Sequence, residues 1–532
     1  MRVNGEREGS GGKKGTEDLS DLEASKRDVG KARAMGALAA RGAAWMIGLS
    51  VASKLIGLIG QMILARLLTN EDFGLYFLAI TIPAVTAIIA QPGIKQVLIE
   101  RESRFDRWKN PGFWMSLNAG VLGAVLTLLF TPFAVGVFGG GTQLTLMMFV
   151  ISATMLVTAA GTVAEAKMQI DLRFRAIAFL GAGSAVGTVC LSALMAWWGW
   201  GAMSFVIPNF VAAVARTVGM WAITRPAIRW NMEVGRWRYL MVDTGYMVVT
   251  QVMLAITARA DAAILGVMFA GSKDVVGQYF FAMILGLQTA QLLAFNLSGV
   301  LFATLNKLKE EPERQTAAFI RALRVLMLVS VPASIAQAAV AAPLTLLIGG
   351  PKWEGAINAV MILSAGSAFG MLSSPAISML QAQGRFNAVM KCSAVSALTF
   401  VLVVWAAAAV SDTSTVTQNV AVGVSLCWGL SGILWVRVAA GRSVAWGAIA
   451  SIAVVPMATG LVSGTAGWAT AAMFGPSWWE MVLACLAGAT TTLIVYLVLL
   501  RYLGGRWYGE LMTVAARFLP GKIKKLLIAQ ED

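Results

Sequence analysis

The chain has 532 residues, of which 58% are apolar and only 13% charged, with a mean hydropathy of +0.73. Soluble domains carry about 25% charged residues, so this composition excludes a soluble multidomain enzyme and fits a polytopic membrane protein. The formal net charge of +15 would suit nucleic acid in a soluble chain, but no basic face large enough for that lies outside the apolar runs, and topology-setting loops account for the charge.

In chain order, 1–42 is polar, mixed in charge and predicted to be a disordered cytoplasmic tail. Ala43–Leu64 is the first run long enough to cross a bilayer, and it carries Lys54. A tight turn follows, and Phe73–Ile94 crosses back with Pro83 and Pro92. Spans are predicted at about 43–66, 73–94, 112–136, 143–164, 176–198, 201–224, 240–268, 277–302, 319–347, 355–380, 389–410, 418–437, 444–464 and 478–501, fourteen in all. A loop at 465–477 separates the last two, and 502–532 is a basic cytoplasmic tail.

The charges check this pattern independently. Lys95, Arg101, Arg104, Arg107 and Lys109 follow span 2, and Lys167, Arg173 and Arg175 follow span 4. Arg225, Arg229, Arg236 and Arg238 follow span 6, and the alternation continues through Arg385 and Arg437. The opposite loops carry only Lys273 and Lys352, apart from Arg66 at the end of span 1. Positive loops stay cytoplasmic, so both termini are expected on that side.

The chain also repeats itself. Gln169-x-x-x-Arg173-Phe174-x-Ala176 recurs as Gln381-x-x-x-Arg385-Phe386-x-Ala388, an offset of 212. Phe138-Gly139-Gly140 matches Ile348-Gly349-Gly350, and Gly74-x-Tyr76-Phe77-x-Ala79 matches Gly277-x-Tyr279-Phe280-x-Ala282. These predict an all-α integral membrane protein built of two six-helix parallel repeats around a central cavity, 43–224 and 240–437. A cytoplasmic linker at 225–239 joins them, and two extra helices lie at 438–501.

The turn reads Ala65-Arg66-Leu67-Leu68-Thr69-Asn70-Glu71-Asp72-Phe73-Gly74-Leu75-Tyr76. With its two flanking helices it resembles the first hairpin of the polysaccharide (lipid-linked oligosaccharide) flippases. Their superfamily also holds the multidrug/toxin extrusion antiporters and the lipid II flippases. The resemblance covers about 43–437 and implies twelve core spans plus two. It implies a transporter that turns an undecaprenyl-pyrophosphate-linked oligosaccharide repeat unit across the bacterial inner membrane for surface polysaccharide or exopolysaccharide synthesis, by alternating access. A polysaccharide polymerase and a chain-length regulator are the partners it suggests. A cation-coupled drug antiporter or a lipid II flippase is the alternative within the superfamily. A membrane glycan polymerase or ligase fits less well, because no large outer loop and no histidine are present.

Ionisable groups inside a membrane are costly and face a cavity or a partner. Lys54, Arg216, Arg259 and Asp261 are such groups, and Gln61 shares a helix face with Lys54. A cationic lumen of Lys54, Gln61, Arg216 and Arg259 would suit an anionic glycolipid. The charged groups have structural alternatives: Lys54 reaching an interface or pairing with a carboxylate for folding, Arg216 reaching an interface, Arg259 bracing a neighbouring helix, and Asp261 a structural role as well. In span 7, Tyr246, Thr250, Thr257 and Asp261 share one face, whereas Arg259 lies about 200° from Asp261. Asp261-x-x-x-x-Gly266 is similar to the family's seventh-span pattern, which favours Asp261 as the inward residue and the meeting point for a coupling proton or sodium ion. No cofactor and no metal site are expected: histidine is absent, and Cys190, Cys392, Cys427 and Cys485 form no CxxC pair.

Overall fold

A chain this apolar must satisfy its backbone polar groups internally, which leaves helix or closed barrel. The computed structural model describes residues 53, 56–91, 93–100, 104–171, 173–290, 301, 305–306, 308–441, 444–503, 507–509 and 511–512, with 96, 100, 238–250, 448 and 503 through the backbone only. The regular elements among the described residues are helices, and no strand is among them.

The helices are α1 (Ile56–Leu67), α2 (Asn70–Ala79), α3 (Thr81–Ala90), α4 (Ile94–Glu100), α5 (Phe105–Phe138), α6 (Gly141–Ile170), α7 (Phe174–Trp197), α8 (Met203–Thr224) and α9 (Trp237–Met268). Then come α10 (Lys273–Gly286), α11 (Pro312–Ala339), α12 (Ala341–Gly349), α13 (Ile357–Gly370), α14 (Ser373–Ala382), α15 (Phe386–Ala409), α16 (Val416–Ala440), α17 (Trp446–Ala471) and α18 (Trp478–Leu503). Among the described residues, 12 segments are long and apolar enough to cross a membrane. The other two expected spans, 43–66 and 277–302, lie partly outside the described residues; α1 and α10 are their described portions.

Local chemistry moves several predicted boundaries. The second span begins at Asn70, not Phe73, because Thr69 and Asp72 form a capping box. The Asp72 amide donates to Thr69 Oγ1 at 3.2 Å, and the Thr69 amide donates to Asp72 Oδ2 at 3.0 Å. The span is interrupted at Ile80, three residues before Pro83, whose ring lacks an N–H and crowds the carbonyl one turn back. Pro111, expected near a span end, lies inside α5. The loop expected at 465–477 is shorter, since α17 runs on to Ala471.

The strongest sequence repeat has a local structural counterpart. α7 and α15 begin 212 residues apart and end 212 residues apart. In the turn before each, the Arg173 amide donates to the Met168 carbonyl and the Arg385 amide to the Leu380 carbonyl, both at 2.9 Å.

The largest core cluster draws the N-terminal and C-terminal helices together at one end of the bundle. There α2 lies against α10 with Gly74 opposite Gly277, and a Cβ on either would overlap the facing backbone. Phe77 stacks on Phe280 with centroids 4.4 Å apart, and Phe73 meets Trp353 edge-on at 4.9 Å. Polar groups clasp the same end. Arg66 donates to the carbonyls of Ile348 (2.9 Å) and Leu347 (2.5 Å) at the C-terminal end of α12. Lys352 donates in return to the carbonyls of Leu68 (2.6 Å) and Arg66 (3.1 Å), at the C-terminal end of α1. Asn70 Nδ2 donates to the Lys352 carbonyl and Trp353 Nε1 to the Ala65 carbonyl. A helix C-terminus favours a cation, so each side supplies the charge that the other side's helix end lacks. α17 and α18 pack on each other and on α11, and α18 also packs on α12.

Candidate functional site

Helices that must cross a bilayer yet carry hydroxyls and charges turn those groups inward. Several cavities result among the described residues, and three of them share wall residues in succession. The N-terminal cavity, about 660 Å³, lies among α3, α4, α6, α7 and α8. Its walls carry Thr154, Thr158, Thr162 and Ser184, and one charged cluster. Glu165 Oε1 is held by Lys95 Nζ at 3.1 Å and by Arg216 Nη2 at 3.4 Å. The central cavity, about 540 Å³, is bounded by Gln61, Tyr76, Phe77, Asn209, Arg259 and Phe280, among others. Gly57, Thr188, Val189 and Asn209 line both. A third, C-terminal cavity of about 300 Å³ shares Leu287 with the central one.

The structure therefore brings Gln61 and Arg259 to one cavity and Arg216 to the next. Gln61 accepts a hydrogen bond from Gln288 Nε2 at 3.1 Å, linking α1 to the segment after α10. Arg259 is half-buried, with its guanidinium 5.8 Å from the Phe77 ring centroid. Among the described residues no carboxylate pairs with it. Lys54 lies outside the described residues.

Asp261 is placed differently from the expectation. It is fully buried and lines none of these three cavities. Tyr279 Oη donates to its Oδ2 at 2.9 Å, and the Ala262 amide donates to its Oδ1 at 2.8 Å. The angular separation on α9 holds, but the helix is rotated the other way: Arg259 faces the cavity and Asp261 the packing against α10. A buried carboxylate needs donors, and Tyr279 on α10 supplies one. A guanidinium is long enough to lie over an aromatic face and still reach open space.

Glu165 is a site residue the sequence reading missed. The predicted fourth span stopped at 164, which put Glu165 in a loop. α6 continues to Ile170 and carries Glu165 inside the bundle. The signal was Lys95 and Arg216, two cations near span ends in need of a counter-ion.

A family model described as "Polysaccharide biosynthesis protein" matches residues 63–358, more than half of the chain. The succinoglycan biosynthesis transport protein ExoT of Rhizobium meliloti (strain 1021) is 24% identical over 326 residues, 60% of this chain and 65% of ExoT, so the chain spans just under two thirds of that relative's length. The lipopolysaccharide biosynthesis protein WzxC of Escherichia coli (strain K12) is 23% identical over 372 residues, 68% of this chain and 73% of WzxC. Among solved structures, the lipid II flippase MurJ in an inward closed conformation superposes with a TM-score of 0.69 at 13% identity, covering 86% of this chain and 99% of MurJ. An inward-facing multidrug resistance MATE family transporter of the MOP superfamily gives 0.55 at 14% identity, over 73% and 94% of the two chains. The structural likenesses establish a MurJ/MATE-like fold. With hairpin, cavities and family match in agreement, the chain belongs to the polysaccharide biosynthesis protein family.

Proposed function

We propose that the protein moves an undecaprenyl-pyrophosphate-linked oligosaccharide repeat unit from the inner to the outer leaflet of the bacterial inner membrane, by alternating access, for surface polysaccharide or exopolysaccharide synthesis. The observation that carries this reading is Arg259, a cation without a carboxylate partner among the described residues, on the wall of a cavity within an apolar bundle. Moving an anionic pyrophosphate through an apolar zone costs several kcal/mol or more, and a fixed cation offsets part of that cost. The printed names of the relatives, succinoglycan biosynthesis transport and lipopolysaccharide biosynthesis, support the same cargo class. The protein moves its cargo and does not make or break a bond in it.

The domain plan that goes with this reading has six-helix halves at 43–224 and 240–437, a linker at 225–239 and two added helices at 438–501. The clasped end faces outward, because Arg173, Arg229, Arg385 and Arg437 collect at the opposite end. The cavities then stand in a state ready to load from the cytoplasm. Asp261 is the residue at which a proton or sodium ion would couple, and a polymerase and chain-length regulator would receive the product.

Deleting the gene tests the reading as a whole. One undecaprenyl-linked oligosaccharide should accumulate on the cytoplasmic face while one surface polysaccharide is lost. Unchanged polysaccharide with altered drug susceptibility, or with accumulated lipid II, would replace this function by one of the superfamily alternatives. The orientation has its own test, in a cysteine-free background. Cysteine at Thr413 or Ser477 should react with an impermeant thiol reagent from outside, and cysteine at Glu233 should not; the reverse pattern inverts the topology.

A further inference from the structure

We infer that the C-terminal cavity is a saccharide subsite, an uncharged pocket that receives a sugar ring of the cargo while the charged cavities receive its anionic link. This deepens the transport reading above and rests on it.

The chemistry of the walls points to an uncharged, hydroxyl-rich ligand. Among the described residues no charged residue lines this cavity. Ser393 and Ser396 do, one turn apart on α15, at 1% and 9% exposure. Neither hydroxyl has a hydrogen-bond partner among the described residues. Elsewhere Ser116, Ser204, Ser330 and Thr345 are unpaired singly, whereas here two unpaired hydroxyls sit one turn apart in one cavity wall. Thr127, Ser152 and Thr492 each donate to the carbonyl one turn back, the ordinary way a helix satisfies such a group. A buried hydroxyl left unpaired costs about 1–3 kcal/mol, and two such hydroxyls lie in the wall of one cavity, within a side-chain rotation of a ligand placed there. Trp428 and Trp435, seven residues apart on α16, add indoles to the wall of the same cavity. A pyranose presents hydroxyls at its rim and C–H bonds on its faces, so serines and indoles together match it. A volume of about 300 Å³ is at the small end of ligand cavities, which suits one sugar unit and not a whole repeat.

The repeat sharpens the contrast. At the offset of 212, Ser184 corresponds to Ser396, Arg216 to Trp428 and Glu165 to Ile377, and all six line their respective cavities. One serine is kept in both places. Where the N-terminal cavity has an ion pair, the C-terminal cavity has an indole and an aliphatic chain. Position relative to Arg259 fits as well. Leu287 lines both the C-terminal and central cavities, and Thr257 of the former is two residues before Arg259 of the latter. A sugar in the C-terminal cavity thus has its pyrophosphate on the Arg259 side.

The test uses the full-length protein in lipid nanodiscs and two probes: undecaprenyl pyrophosphate, and the lipid-linked oligosaccharide extracted from the deletion strain. Wild type should bind the oligosaccharide form more tightly. Replacing both serines (Ser393→Ala with Ser396→Ala) should weaken binding of that form about tenfold and leave the bare lipid unchanged. The same variant should keep or raise thermal stability, since it removes two unpaired hydroxyls, so misfolding does not confuse the result. Arg259→Ala should weaken both probes. A double serine variant that binds both probes as wild type does, or loses both equally, overturns the subsite and leaves the transport reading standing. A wild type that binds neither probe overturns the transport reading and the subsite with it.

Discussion

Gly277→Leu is expected to abolish export, with the protein still inserted in the membrane. α2 and α10 meet through Gly74 and Gly277, and even a Cβ at Gly277 would overlap the Asn70 carbonyl. The facing group is backbone, so it cannot swing aside as a side chain would. The two helices must separate, which pulls apart the Phe77–Phe280 stack and the Phe73–Trp353 contact behind it. Forced overpacking of this kind costs about 1–3 kcal/mol or more. That cost falls on the clasped state, and alternating access requires the clasped state in every cycle. The control is Gly136→Ala, because Gly136 on α5 has open space where the new atom goes; it should export normally. The readout is polysaccharide export per molecule of membrane protein, paired with thiol labelling at residue 70 from outside. In a cysteine-free background, Asn70→Cys should label faster when Gly277→Leu is added. Normal export by Gly277→Leu would show that closure at this end is not part of the cycle.

The clasp is a contact that forms and breaks at modest cost. Its donors, Arg66, Lys352 and Asn70, reach backbone carbonyls near helix ends rather than carboxylates. Those carbonyls lie at the rim of the bundle, where water can replace the lost bonds when the end opens. A buried ion pair in the same place would be expensive to break.

Much of this was legible in the sequence, for stated physical reasons. Apolar run length and alternating basic loops are imposed by the bilayer, so spans could be read directly. The Gln169 and Gln381 segments gave an offset that α7 and α15 keep at both ends. The Gly74 and Gly277 segments were read as a repeat, but nothing in one dimension says that the two copies touch. The rotation of α9 was not legible either. Periodicity gives the angle between Arg259 and Asp261 on one helix; packing against neighbours sets which of them faces the cavity. Glu165 was missed because an apolarity boundary ends where the first charge begins, while the helix does not.

That rotation sets the expected outcome for the two ionisable residues of α9. Arg259→Ala should lower export per molecule by about tenfold to a hundredfold. At an effective dielectric constant of about 20, a unit charge about 5 Å from an anion contributes about 3 kcal/mol, and each 1.4 kcal/mol or so is a factor of ten in rate. Water in the cavity screens part of this, which sets the lower bound. Abundance should change little, because no carboxylate among the described residues loses a partner. Arg259→Lys keeps the charge but loses the planar fork, so it should retain an intermediate rate. Asp261→Asn should behave in the opposite way. Its carboxylate accepts from Tyr279 and from the Ala262 amide in a fully buried site. An amide in that place faces one donor with another donor unless Tyr279 turns. The cost is about 1–3 kcal/mol of stability, so less protein should reach the membrane. Per molecule, export by this variant should also lose its response to a proton or sodium gradient if Asp261 couples transport. An Asp261→Asn protein that is scarce yet fully gradient-driven makes Asp261 a structural residue only. Normal export per molecule in Arg259→Ala removes Arg259 from the path of the anion and shifts that role to Lys54. The corresponding measurement is then Lys54→Ala against Lys54→Arg, normalised in the same way.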